Sequence, residues 1–260
     1  MEESVLITEN TIPSNQIDTQ AMIAITRYKT RFIPFAFLTM ALFHIPLFFN
    51  KRVIFYKLMG CGRNGSFDIQ PDFNQWAVMI FFKPDSATEL GQGIKEGTRL
   101  LGRLINHWWS LFAVQRHLFL LEPYAGHGTW DGKSFVDPPT GKITDPPGRI
   151  GVLTRASIRL SRLRQFWGAV AGAAEGLSES KGFQYSVGIG EVPFIKQATF
   201  SVWSSAEDMK NYAYKKVEHQ EVIRRTRKED WYSEEMFLRF RVLEESKEGL
   251  SPCINQAFNN

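Results

Sequence analysis

The feature that most constrains this chain is a repeat within it. Ile23-Ala24-Ile25-Thr26-Arg27 is matched by Gly151-Val152-Leu153-Thr154-Arg155, so Thr26 and Thr154 stand 128 positions apart. At the same offset, Phe55 with Gly60-Cys61-Gly62 is matched by Phe183 with Gly188-Ile189-Gly190. Past a longer first-half loop at 63–74, the runs QWAVMIFF (75–82) and QATFSVWS (197–204) match at an offset of 122. Each is followed by an acidic helix start, Pro84-Asp85 and Ala206-Glu207-Asp208. A chain duplicated in this way folds as two copies of one unit.

The pattern identifies that unit. The runs at 152–159 and 197–204 are rich in residues that suit a half-buried pleated surface. Between them Leu160, Leu163, Phe166, Trp167, Val170, Ala171, Ala174 and Leu177 share one helical face, with Ser161 near its start and Gly182 past its end. At 235–243, Met236, Leu238, Phe240 and Val242 alternate with Arg239 and Arg241, as a closing strand should. Strand, helix, strand, strand, helix, strand is the ferredoxin-like unit. Two such sheets facing each other bury both open faces. The fold expected is therefore α+β: two ferredoxin-like halves in one chain, packed as an intramolecular dimeric α/β barrel. The Pro/Gly-rich stretch at 137–148 divides them. The expected organisation is a flexible segment at 1–20, a first half at 21–136, the linker, a second half at 149–246 and a tail at 247–260.

Composition narrows the function classes. The 260 residues include 21 Phe and 7 Trp, which suits a pocket for a large apolar ligand and an ordinary ring-rich core equally. The net charge of +4 is concentrated between Lys215 and Lys228, a solvated helix face or a docking site for an acidic surface. Nothing resembles a nucleic-acid-binding motif, and no nucleic acid partner is expected. Cys61 and Cys253 are the only cysteines and build neither a disulfide framework nor a zinc site. Met1 to Gln20 is acidic and polar, unlike a signal peptide, so a cytoplasmic location is expected. One run, FIPFAFLTMALFHIPLFF at 32–49, approaches spanning length, but Pro34, Pro46, Thr39 and His44 interrupt it. A buried or membrane-touching helix is the expectation there.

Gly60-Cys61-Gly62-Arg63-Asn64-Gly65 fits G-x-G-x-x-G, yet loop residues follow where a dinucleotide site needs a helix. A glycine-rich turn allowing close backbone approach is the better reading. Cys61 between glycines suggests an exposed thiolate or a small semi-buried site. Of the five histidines, His44 reads as a satisfied core residue, His127 lies in a stretch that reads as a flexible loop, and His107 and His117 bracket Trp108-Trp109. No two have zinc-pair spacing. His219 shares a helical face with Val222, Ile223 and Thr226, away from the neighbouring arginines. That placement suits an inward axial ligand or a hydrogen-bonded core histidine.

Leu153-Thr154-Arg155-Ala156-Ser157-Ile158, the run from Tyr185 to Pro193, Thr199-Phe200-Ser201-Val202-Trp203, His219 to Ile223 with Arg227, Trp231 to Glu235 and Arg239 to Leu243 together resemble the spheroidene monooxygenase family of carotenoid biosynthesis. In the first half Leu58 to Arg63, Pro71-Asp72 and Trp76-Ala77 are similar too, and the likeness covers most of 21–245 in one order. The resemblance implies a haem-dependent, oxygen-consuming enzyme that hydroxylates an acyclic carotenoid or similar long apolar substrate and oxidises it to a ketone. It implies reduced ferredoxin as electron donor, His219 as proximal iron ligand, and Arg155 with its repeat partner Arg27 at the haem propionates. Contact with the inner face of a membrane follows from such a substrate. Two alternatives keep the fold: a cofactor-free monooxygenase or haem enzyme of another reaction class, and a non-enzymatic carrier of haem or a hydrophobic ligand.

Overall fold

The computed structural model describes residues 19–63, 65, 70–84, 93–137, 143–173, 176–215, 224–226 and 228–250. The first half runs β1 (Gln20–Tyr28), α1 (Ile33–Leu42), α2 (His44–Phe49), β2 (Val53–Gly62), β3 (Pro71–Phe82), α3 (Gly93–Leu100), α4 (Gly102–Phe112) and β4 (Ala113–Gly128). The second runs β5 (Ile150–Ile158), α5 (Leu163–Ala173), β6 (Phe183–Val192), β7 (Lys196–Trp203), α6 (Ala206–Lys215) and β8 (Tyr232–Gly249). The strands close into one barrel in the order β1-β3-β2-β6-β7-β5-β8-β4. Closure leaves no edge for another chain to extend. The expected pair of ferredoxin-like halves is thus present.

Alternation along the strands fills the barrel. Ile23, Met79 and Phe119 from the first half meet Leu153, Phe200 and Leu238 from the second in one apolar waist. The halves join at two unequal seams. β4 and β8 pair from Gln115↔Gly249 to Gly128↔Met236, whereas β2 and β6 meet only at Gly60↔Gly190 and Cys61↔Ile189. The glycine-rich segment is therefore the end of a strand rather than a turn. What its backbone approaches is the matching segment of the other repeat.

Several boundaries differ from expectation. The stretch around His127 is the end of β4, and Trp130 just beyond it is fully buried. Trp130 and Phe135 fold back to plug one barrel end, their rings 5.5 and 5.1 Å from that of Phe55. Leu160 precedes α5 in a 3-10 turn and is 71% exposed, while Phe166 is buried as expected. The side chains of Val170, Ala171 and Ala174, and the helix start at Asp85, lie outside the described residues. β3 and β7 correspond at 123 positions rather than 122, because Thr26 pairs with Trp76 and Thr154 with Thr199. The one-residue slip matters, since it exchanges the faces of the sheet.

The helices cover the two outer faces differently. In the first half Ala36, Phe43 and Leu47 of α1 and α2, with Ile105, Trp109 and Phe112 of α4, pack over Met22, Ala24, Leu58, Val78 and Ile80. Pro46 removes a backbone donor and breaks the apolar run into two helices at Phe43. Gly102, at φ +87, turns the chain between α3 and α4 against Pro46. The second half has two smaller clusters instead. One joins Ile150, Val152, Trp203 and Met209 beneath α6; the other joins Ala156, Ile158, Phe166 and Trp231 beside α5. α6 starts on an N-cap serine, with the Asp208 N–H donating to Ser205 Oγ at 3.1 Å.

The plug makes a direct prediction. Trp130→Ala removes a fully buried ring and the indole that donates to Glu191 at 2.8 Å. Chemical denaturation should show a loss of about 3–5 kcal/mol, as for other buried Trp truncations.

Candidate functional site

Polar side chains gather at both ends of the barrel interior. At one end Arg155, 1% exposed, binds Glu234 and lies 3.5 Å from Glu191 and 3.7 Å from Asp131. Lys57 reaches Glu191 at 2.5 Å and also binds Asp131, which Lys196 approaches at 3.3 Å. Three cations thus meet three carboxylates, which is what allows Arg155 to be buried there. Burial alone would raise the carboxyls of Asp131 and Glu234. Lys57 and Lys196 on the first, and the Gly132 N–H with Arg155 on the second, hold both below the usual carboxylate range.

The opposite end repeats the idea with other residues. Arg27 donates to Asp72 at 3.0 Å and to Gln75 at 2.9 Å. Cys61 beside them is buried, and burial pushes its thiol up to about 12. It is a buried thiol, in keeping with a small enclosed site and not with an exposed thiolate. His117 bonds Glu245 at 2.6 Å, with the Tyr185 ring 4.8 Å away.

Arg27 and Arg155 therefore lie at opposite ends of the barrel, each already engaged with carboxylates. His219 lies outside the described residues, in the stretch between α6 and the helical turn at 224–226. His44 is exposed rather than in the core, its Nδ1 3.1 Å from the Tyr56 hydroxyl. Among the described residues no group of three His, Cys, Asp or Glu side chains could hold a metal ion.

A third locus was missed in the sequence. On the outer face of the second-half sheet one row of paired residues reads Gly188, Thr199, Thr154, Phe237 and His127. The next row begins Ser186, Ser201, Val152. The corresponding first-half rows read Gly60, Trp76, Thr26 and Leu58, Val78, Ala24. Trp76 there fills the space over the strands, with the Phe37 ring packed 4.9 Å from it, and Thr26 is buried. Thr199 leaves that space open, so Thr154 is exposed in the middle of a strand paired on both sides. Thr199 Oγ1 is buried without a hydrogen-bond partner among the described residues. The His127 ring stacks on Phe237 at 5.6 Å.

This face is a wide, small-residue, hydroxyl-bearing floor between two apolar flanks, one beneath α6 and one beside α5. A flat apolar ligand would find rings at its edges and neutral donors and acceptors beneath it. The signal was present in the sequence as Thr and Ser standing where the first half has Trp, Leu and Val. Only the corrected register puts those residues on one face.

The barrel interior yields a pH prediction. Burial pushes the His117 imidazole below its ordinary 6.5, although Glu245 pulls the other way. Below about 6.5 the unfolded chain then binds a proton that the folded chain refuses, so stability falls as pH drops through that range. His117→Gln should flatten the dependence of stability on pH between about 7 and 5, read by denaturant midpoints.

The chain was compared with known proteins. No family model matches it. It is 31% identical over 218 residues to the spheroidene monooxygenase of Rhodobacter capsulatus, covering 82% of this chain and 86% of that protein. It is 33% identical over 186 residues to the spheroidene monooxygenase of Rubrivivax gelatinosus, covering 72% of this chain and 67% of that protein. Among solved structures, an aldoxime dehydratase matches with a TM-score of 0.58 at 8% identity, over 90% of this chain and 85% of that one. An aldoxime dehydratase in complex with butyraldoxime matches with a TM-score of 0.57 at 9% identity, over 88% and 81%. The structural likenesses establish the fold, and the sequence likenesses establish the lineage: the chain belongs to the spheroidene monooxygenase family of oxygen-incorporating oxidoreductases.

Proposed function

We propose that this protein is a haem-dependent monooxygenase that hydroxylates an acyclic carotenoid and oxidises it on to a ketone, with electrons from reduced ferredoxin. The outer face of the second-half sheet would receive the haem, and His219 would hold its iron. The observation that carries this reading is the open floor around Thr154 and Thr199, where the duplicate half is filled by Trp76. In sequence, His219 falls between α6, which packs on one flank of that floor, and Trp231, which packs on the other. The reading gives no propionate to Arg155, which is paired inside the barrel across the sheet from this face, nor to Arg27, which is partly exposed at the opposite barrel end and paired with Asp72.

When bound, the haem supplies oxygen activation and the oxidation of the substrate carbon. The chain supplies the surroundings. Thr154 presents its hydroxyl on the side of the ligand that faces the sheet, where it can donate or accept a hydrogen bond. Phe237, half-buried at the edge of that row, provides an apolar wall that suits a long polyene. Beneath them the Arg155 network holds β5 and β8 in register at the barrel end. With reduced ferredoxin as the electron donor, the location that goes with this reading is the cytoplasm.

Hemin titration tests the reading. The purified protein should develop a Soret band with one equivalent of hemin, and His219→Ala should abolish it. Thr199→Trp restores the first-half residue, and should weaken hemin binding by at least about tenfold while the thermal midpoint is kept, since a full ring occupies the floor. A protein that ignores hemin overturns the haem and leaves a cofactor-free monooxygenase. One that binds hemin yet yields no oxygenated carotenoid with reduced ferredoxin is a carrier.

A further inference from the structure

The helix run at Thr30–Phe49 is apolar all round, yet only a narrow stripe of it is covered. Phe32, Ala36, Thr39, Phe43 and Leu47 are buried, spaced three and four residues apart as one helical face. That stripe extends along the whole run and packs on the sheet and on α4. The helices therefore lie flat on the barrel, side outward. Their other face carries Phe37, Leu38, Ile45, Phe48 and Phe49, the last two 74% and 75% exposed. Phe73, its ring 5.5 Å from that of Phe37, and Leu104 of α4 widen the patch. A contiguous apolar surface of this kind marks an interaction site.

Charge says what covers it. The sequence from Tyr28 to Phe67 contains no Asp or Glu. Lys29 and Arg31 are exposed before α1 and Lys51 after α2, with Arg99 and Arg103 on the adjoining helices. The nearby carboxylate of Glu96 is buried against Arg52. Exposed aromatic rings set in a basic rim are the recognition chemistry of an anionic lipid surface, where the rings enter the acyl boundary and the cations meet the headgroups.

We propose that the outer face of α1 and α2 is a docking surface that seats this protein on a bilayer bearing anionic headgroups, lying in the interface without crossing it. The flat packing of the buried stripe is what separates lying on the bilayer from spanning it. The surface belongs to the first half, away from the floor around Thr154, and does not rest on the haem.

Vesicle co-sedimentation of the full chain tests this, using phosphatidylcholine vesicles with and without phosphatidylglycerol and no carotenoid. Binding should favour the phosphatidylglycerol vesicles and be released by high salt. Phe48→Ser with Phe49→Ser should weaken it by about tenfold or more, given the two rings withdrawn from the acyl boundary. Lys29→Glu with Lys51→Glu should abolish the preference for anionic vesicles, and Leu160→Ser with Phe194→Ser on the second half should change nothing. His219→Ala should bind vesicles like the unaltered protein, so loss of the haem reading leaves this result standing. Three outcomes overturn the proposal: indifference to the Phe48 and Phe49 substitutions, retention through an alkaline wash as for a spanning helix, or a dimer in solution that the same substitutions dissociate.

Discussion

Closure of the eight strands into one barrel is the constraint on which the rest of the structure depends. Neither half could stand with its four-stranded sheet open on one side, because the inward positions are Ile23, Met79 and Phe119 in one half and Leu153, Phe200 and Leu238 in the other. Pairing β2 with β6 and β4 with β8 buries them against each other and removes every strand edge. Closure also leaves two ends to seal. Trp130 and Phe135 plug one, over the balanced ion network of Arg155, Lys57 and Lys196 with Asp131, Glu191 and Glu234. Arg27, Asp72, Cys61, His117 and Glu245 occupy the other.

With the interior committed to packing, any ligand must use the outer faces, and there the duplicates have diverged. The first half fills its face with Trp76 and covers it with α1, α2 and α4. The second keeps Thr199 at the matching position and leaves Thr154 exposed. One exchange of Trp for Thr at equivalent registers separates a packed layer from an open floor. The first half has in turn left the other side of its covering helices apolar and unpartnered. Duplication thus supplies two equal faces, and substitution assigns one to a ligand and the other to a surface.

Much of this was legible. The repeated Thr-Arg and Gly-x-Gly pieces revealed the duplication, and alternation in β8 correctly put Met236, Leu238 and Phe240 inward. The errors have physical causes. His127 looked like part of a loop because Ala125-Gly126-His127-Gly128 is small and glycine-rich, yet a long partner strand, β8, orders it. Leu160 fitted the helical stripe, but the chain enters α5 through a 3-10 turn whose different pitch swings it outward. His44 looked buried because its neighbours are apolar, but it falls off the buried stripe of Thr39, Phe43 and Leu47, on the open side with Ile45 and Phe48.

The sequence by itself determined the duplicated α+β plan, the strands and their inward residues, and the lineage, because repeat spacing and period-two burial are local properties of the chain. The tertiary structure alone decided which residues share a face. The register of β7 against β5 turns Thr199 outward beside Thr154, and the antiparallel joining of the halves through β2–β6 and β4–β8 carries Arg155 and Arg27 to opposite ends. It also decided that the most apolar run of the chain lies flat on the sheet with four of its six Phe rings exposed. Such facts depend on pairing between distant segments, where a shift of one residue exchanges inside for outside.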